Sequence, residues 1–322
     1  MPANVVIQKE PLTKPGKLVP APSTTDQYDE LAKSTSKKNF TSNNQSSSIS
    51  KKKERSSEDM VTDDIATILD PAIGHSKEVH CCLFSPQNSN IFASASSDGT
   101  LRIWNKGKPI VLVDHHADSR DSKEREVTCI DWSKDGKYVL TGCVDGRTRV
   151  WNATDGKLLF FIGSDVDTDA VLSVKLNIHQ NLVATAGPGN AAMVYKIDLE
   201  NGKADLIFQG SDHTKHTMDL DWNENSVLAT CSTDKSIQVY YFENEIESKR
   251  TMTLNGHYDD VNDVQWCLTD SQVLASGSDD TTVLLWKPDS GQEAVHRFSD
   301  HSKEVYDLDW SPTEPFIATY QY

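Results

Sequence analysis

Two columns of bulky residues recur along this chain with one period of about 45 residues, and nothing else in the sequence restricts its fold as tightly. One column holds Phe84, Trp132, Leu176, Trp222, Trp266 and Trp310, at steps of 48, 44, 46, 44 and 44. The other holds Trp104, Trp151, Tyr195, Tyr240 and Trp286, at steps of 47, 44, 45 and 46. Two columns that keep one period describe a unit repeated in sequence, and such a unit must stack on its neighbours to bury its apolar face.

Within each unit, segments such as VLATCS, SIQVYYF, VLASGS and TVLLW run or alternate apolar over four to seven residues, and Asp-Gly, Asp-Lys and Asp-Asp turns separate them. These read as strands. About four short strands per unit, with no apolar stripe of helical period, predict an all-β chain whose units are the blades of a β-propeller.

A third set of columns gives the blades an interior chemistry. Six residues before the second column stand Asp98, Asp145, Gly189, Asp234 and Asp280, and four before those stand Ser94, Thr141, Thr185, Thr230 and Ser276. His75, His213, His257 and His301 precede the first strand of four units. A buried carboxylate needs a partner, an imidazole can donate to it, and a hydroxyl can link the imidazole to an indole N–H. These residues resemble the tetrad of the WD-repeat family, and the resemblance covers 74–322. Complete sets are readable in unit one (His75, Ser94, Asp98, Trp104) and unit five (His257, Ser276, Asp280, Trp286). Unit four carries His213, Thr230 and Asp234 with Tyr240 in place of Trp. Unit two has Thr141, Asp145 and Trp151 but is expected to replace its histidine with the insert DHHADSRDSKERE. Unit three has lost both Asp and Trp, and unit six reaches only His301 before it stops.

Residues 74–322 hold about five and a half units, the sixth ending inside its second strand at FIATYQY. The expectation is an incomplete ring, whether a fragment or the product of a frame error, with sheet faces and edges exposed at both ends. The N-terminal part is different in kind. Residues 1–60 have only Tyr28 and Phe40 as aromatics and are rich in Ser, Asn and Lys, which predicts a disordered polar tail; 61–73 is apolar enough for an edge strand.

The order of the units extends the resemblance. GHSKEVHCCLFSP, the insert before EVTCIDW, HTMDLDWNENSVLATCSTDKSIQVY, GHYDDVNDVQW and HSKEVYDLDWSPTEP look like the transducin-beta-like co-repressor subunits of histone deacetylase complexes, fungal relatives included. That resemblance implies an eight-bladed ring behind a LisH dimerisation motif, a nuclear scaffold in gene repression, and histone deacetylase and co-repressor subunits as partners. Residues 1–73 show no amphipathic helix pair of the LisH kind.

Charge narrows the function further. The net −16 belongs entirely to 74–322, which hold 22 basic and 38 acidic residues. That balance argues against direct nucleic-acid binding and for a basic protein partner. Glu78, Glu126, Asp260 and Glu304 stand just before the first strand of their units, with Asp169 beside that position in unit three. In a ring they would surround the mouth of the channel and attract Lys/Arg-rich segments such as histone tails; acids scattered over every loop of an acidic domain are the plainer reading.

No P-loop, GxSxG or HExxH occurs, and the six cysteines form no CxxC pair. Asp114, His115, His116 and Asp118 have the residue types of a metal site but sit in the insert among Ser119, Arg120 and Lys123. The expectation is a non-enzymatic scaffold with no catalytic or metal site, no cofactor, no membrane segment and no small-molecule substrate, placed in the nucleus or else the cytoplasm. The alternative on the same fold is a substrate receptor of a ubiquitin ligase or another cytoplasmic adaptor.

Overall fold

Apolar runs and turn residues translate directly into strands. In the computed structural model the described residues are 4–9, 74–115, 126–163, 169–177, 181–189, 191–242 and 248–321, with 4–9 and 248–250 described by backbone alone. In chain order the strands are β1 (Asn4–Lys9), β2 (Val79–Ser85), β3 (Asn88–Ser96), β4 (Thr100–Asn105), β5 (Lys108–Asp114), β6 (Val127–Trp132), β7 (Tyr138–Cys143) and β8 (Thr148–Asn152). They continue as β9 (Leu158–Ile162), β10 (Ser173–Asn177), β11 (Leu182–Ala186), β12 (Ala192–Asp198), β13 (Lys203–Gly210), β14 (Thr217–Trp222), β15 (Val227–Ser232) and β16 (Ser236–Phe242). The last are β17 (Ser248–Asn255), β18 (Val261–Trp266), β19 (Leu274–Ser278), β20 (Val283–Trp286), β21 (Ala294–Phe298), β22 (Val305–Trp310) and β23 (Phe316–Gln321).

Each run of four from β2 to β21 forms one antiparallel sheet in sequence order, giving five four-stranded blades. The sixth sheet has the order β1-β23-β22. Its third strand comes from the other end of the chain, with Asn4 opposite Gln321 and Lys9 opposite Phe316. This strand falls within the stretch 1–60 read as a polar tail; residues 10–73, including the edge strand expected at 61–73, lie outside the described residues.

Burial follows position in the blade. The second and third strands are sandwiched between neighbouring blades, so VLATCS of β15, LASGS of β19 and VLLW of β20 are buried at every residue. Outer strands face solvent on one side and alternate instead, as in β21 and β5. Burying a Val or Leu side chain contributes about 1.5–3 kcal/mol, and the clusters repeat from blade to blade, as with Val239, Leu254, Val264 and Trp286 across blades four and five.

Two details of backbone geometry position the functional surface. In five blades the first strand carries a β-bulge, at Val79/Cys81, Val127/Cys129, Thr217/Asp219, Val261/Asp263 and Val305/Asp307. An unpaired residue re-aims the side chains after it. The turn between second and third strands passes through positive φ, at Gly99 (77°) and Gly146 (80°) but also at Lys235 (75°) and Thr281 (68°). A β-branched residue there is strained by its own Cβ. Thr281→Gly should therefore raise the stability of the folded chain by about 1 kcal/mol, read by chemical denaturation; an unchanged or lower midpoint would contradict that strain.

Candidate functional site: a carboxylate-lined channel and its loop face

Hydrogen bonds inside the blades fix the loops of one face. In blade one, His75 Nδ1 lies 3.0 Å from Asp98, His75 Nε2 lies 2.7 Å from Ser94 Oγ, and Trp104 Nε1 donates to the same hydroxyl at 2.8 Å. Blade five repeats this with His257–Asp280 at 3.0 Å, His257–Ser276 at 2.7 Å and Trp286 donating to Ser276 at 2.9 Å. In blade four His213 joins Asp234 and Thr230 at 3.1 and 2.9 Å, and Tyr240 fills the indole position fully buried. Each carboxylate also accepts the backbone N–H after its histidine, from Ser76, Thr214 and Tyr258, so one buried group ties the loop to the blade.

The other blades vary the theme. Blade two does hold a histidine: His115, in the insert expected to lack one, is fully buried with Nε2 2.9 Å from Thr141 Oγ1, which also receives Trp151 Nε1. Asp145 pairs with the fully buried Arg149 at 2.6 Å. His116 and Asp118 lie outside the described residues, and no group of three or more His, Cys, Asp or Glu among those described could hold a metal ion. In blade six His301 meets Thr319 at 2.6 Å, and the Gln321 side chain accepts the N–H groups of Ser302 and Lys303. Blade three has no such set, and Asp169 Oδ2 stands 2.8 Å from where a Cβ on Gly189 would be. That carboxylate borders a cavity of about 310 Å³ with Thr185, Tyr195 and Gln209.

The first strands of all six blades line a central channel of about 550 Å³. The bulges bring Cys81, Cys129, Asp219, Asp263 and Asp307, with Ser173 of blade three, to equivalent positions. Two residues on, each strand offers Leu83, Asp131, Lys175, Asp221, Gln265 and Asp309. Several of these brace the ring by accepting a backbone N–H of the next blade: Asp131 from Leu176, Asp221 from Trp266, Asp263 from Leu308 and Gln265 from Trp310. Sequence reasoning passed over this column, although DLDW, DVQW and DLDW before the aromatic positions carry it.

The channel's charges are strongly coupled. Burial raises the Asp263 carboxyl far above its usual range, aided by Asp219 and Asp307 beside it, and burial also raises Asp307. Burial pushes Asp221 up to about 7 against the pull of Lys175. Lys175 is the one lysine on these strands; burial opposes its charge, but Asp221, Asp131, Asp219 and Asp263 outweigh burial and hold it protonated. Cys81 is raised to about 11 by burial, so it is a neutral thiol.

At the rim, the acids singled out in the sequence take equivalent loop places. The carbonyls of Glu78, Glu126 and Asp260 each accept an N–H from the end of the second strand, of Ser97, Val144 and Asp279. Glu78 and Asp169 are exposed, while Glu126, Asp260 and Glu304 are half-buried. The rim also carries Lys77, Lys215 and Lys303, and Lys235 bridges Asp259 at 3.2 Å. Acids thus stand both at the rim and in the channel, where burial raises Asp131, Asp221, Asp263 and Asp307 toward their neutral forms.

This geometry has a counterpart in known proteins. The family model described as WD domain, G-beta repeat, matches residues 67–105, 107–152, 248–287 and 292–320. The chain belongs to the WD-repeat family. The matched spans cover blades one, two, five and six, leaving blade three, which lacks the histidine set, and most of blade four, which lacks its Trp. Among relatives of this WD-repeat chain, the mouse F-box-like/WD repeat-containing protein TBL1X is 31% identical over 298 residues, covering 74% of this chain and 54% of the relative. Human TBL1Y is 30% identical with 74% and 55% covered, and the WD40 repeat-containing protein HOS15 of Arabidopsis thaliana is 33% identical with 66% and 35% covered. The matched part of the chain thus spans about half, or less, of the length of these relatives. The crystal structure of RRP9 WD40 repeats superposes with a TM-score of 0.61 at 19% identity, covering 75% of this chain and 69% of that one, a likeness of fold.

The His–Asp pairs give stability a pH signature. Burial alone would raise Asp98, but bonds from Thr100, the Ser76 N–H and His75 outweigh it and hold the carboxyl down to about 2. A depressed folded-state value contributes stability above the unfolded value near 4 that is lost as pH falls through about 2. Asp98→Asn should cost about 1–2 kcal/mol at pH 6, allowing for solvent screening, and the gap to wild type should close between about pH 4 and pH 2. A gap that stays constant across that range in acid denaturation would remove the carboxylate from the account.

Proposed function

We propose that this WD-repeat protein is a non-catalytic scaffold subunit of a nuclear histone deacetylase co-repressor complex, and that it docks basic protein segments on its loop face at the channel mouth. The observation that carries the docking is the set of acids at the rim, Glu78, Glu126, Asp169, Asp260 and Glu304, above a channel in which Asp221, Asp131, Asp219 and Asp263 act on Lys175. Walls of low polarisability around a cleft of one sign focus its potential, which speeds and orients the approach of Lys/Arg-rich chains. The co-repressor assignment is supported by the resemblance of the repeat order to the transducin-beta-like subunits and by the 30–33% identity to TBL1X, TBL1Y and HOS15. Deacetylase and co-repressor subunits, and basic histone tails, are the partners this reading names.

The second reading, an adaptor or substrate receptor of a ubiquitin ligase, draws on the words "F-box-like" in the names of TBL1X and TBL1Y. Affinity purification of the tagged chain from nuclear extract separates the two. Deacetylase and repressor subunits support the first, and cullin with its adaptors the second. The docking face has its own test. The triple variant Glu78→Lys, Asp260→Lys, Glu304→Lys should weaken a Lys/Arg-rich peptide at low salt by tenfold or more, measured by calorimetry. Unchanged affinity would refute the face.

A further inference from the structure

Blade three brings a hydroxyl and a carboxylate together and supplies no cation to them. In the five other blades a histidine meets the column hydroxyl at 2.6–2.9 Å, from His75, His115, His213, His257 and His301. Thr185 occupies that column in blade three and is 8% exposed, and no histidine among the described residues reaches it. The carboxylate comes from elsewhere in the chain. Gly189 stands in the Asp column, and Asp169 Oδ2 lies 2.8 Å from the point where its Cβ would be. The loop before the first strand thus returns the group that the column lost.

The cations that attend the column carboxylate in other blades are missing here. Asp98, Asp234 and Asp280 each meet an imidazole, and Asp145 meets the Arg149 guanidinium, whose Nη1 and Nη2 donate at 3.1 and 2.6 Å. Arg149 stands opposite Thr141 in the pairing of the second and third strands, and the residue opposite Thr185 in blade three is Met193. Asp169 has no ion pair among the described residues. What remains is the cavity of about 310 Å³, lined by Thr185, Gly189 and Tyr195 of the three columns together with Asp169, Met193 and Gln209.

We infer that this cavity takes the guanidinium of an arginine on a basic segment of a protein partner, paired with Asp169 and bonded to the Thr185 hydroxyl, with its methylene stem against Met193. The inference rests on the reading of the loop face as a dock for basic segments and gives that face one defined pocket. The volume lies at the low end for ligand sites and suits a single long side chain. An anion would face Asp169, and a neutral group would leave that carboxylate uncompensated. A guanidinium has five donors in one plane, enough to meet a carboxylate with two and a hydroxyl with another, and it is more weakly hydrated than an ammonium. Blade two already shows this pairing within the chain, at Asp145 and Arg149.

Nuclear magnetic resonance on the full chain tests it through the methyl signals of its five Met, with Met193→Leu assigning the signal of interest. The probe is N-acetyl-arginine N-methylamide. Asp169 is exposed, so solvent screens the pair, and the Met193 methyl should shift and saturate at a concentration on the order of millimolar with the other four still. The citrulline counterpart, a neutral isostere, should bind at least tenfold more weakly, and so should the arginine probe on Asp169→Asn; the lysine counterpart should bind more weakly than arginine, and Thr185→Val should weaken arginine as well. A Met193 signal that does not move, citrulline or lysine binding as tightly as arginine, or full affinity on Asp169→Asn overturns the pocket. One capped residue is too short to reach the rim acids of the other blades, so the pocket and the face fail separately. A still Met193 signal beside a basic peptide that loses affinity on the Glu78, Asp260, Glu304 triple variant removes the pocket and leaves the face standing. A shifted Met193 signal beside unchanged peptide affinity on that variant supports the pocket and refutes the face.

Discussion

A buried carboxylate that must find partners organises blades one, four and five of this protein. Asp98, Asp234 and Asp280 are each satisfied by an imidazole, by a hydroxyl two residues on, and by the backbone N–H of the loop that follows the histidine. The imidazole in turn reaches the Ser or Thr that also meets the Trp in blades one and five. Removing one member would leave others buried and unpaired, at about 1–3 kcal/mol each. The loops after these histidines are therefore held by the same atoms that hold the strands together.

Between blades, the same chemistry works at the channel. Carboxylate and amide side chains of one first strand accept backbone N–H groups of the next, and a bulge in most of these strands sets their aim. Structure and charge display are then inseparable. Asp221 braces Trp266 while it also acts on Lys175, so the grouping of acids in the channel is a consequence of how the blades are joined. Phe84 of blade one shows the converse. It occupies the column of Trp132, Trp266 and Trp310, each at most 6% exposed, yet it is itself 64% exposed.

The fold was legible because the aromatic, hydroxyl and Asp columns are tied to strand geometry, and a residue that must face a neighbouring blade recurs at the blade's own period. What escaped the reading had lost that periodicity or its local cue. His115 lies 26 residues before its hydroxyl partner, against 17 to 19 in the other blades, so spacing concealed it. Asp145 stands in the expected column but turns to Arg149, a choice that only the side-chain packing decides. β1 pairs with a strand more than 300 residues away, which no local pattern reports. The channel column was present as recurring Asp before Trp, but its role depends on bulges that a sequence does not announce.

Hydrogen–deuterium exchange resolved blade by blade tests most directly the claim that the His–Asp–hydroxyl network governs blade rigidity. Blades one, four and five, which hold the His–Asp–hydroxyl set, should protect their second and third strands markedly more than β11 and β12 of blade three, where Gly189 and Tyr195 replace Asp and Trp. Equal protection in blade three and blade five would show that packing between blades suffices, and the network would lose its central place.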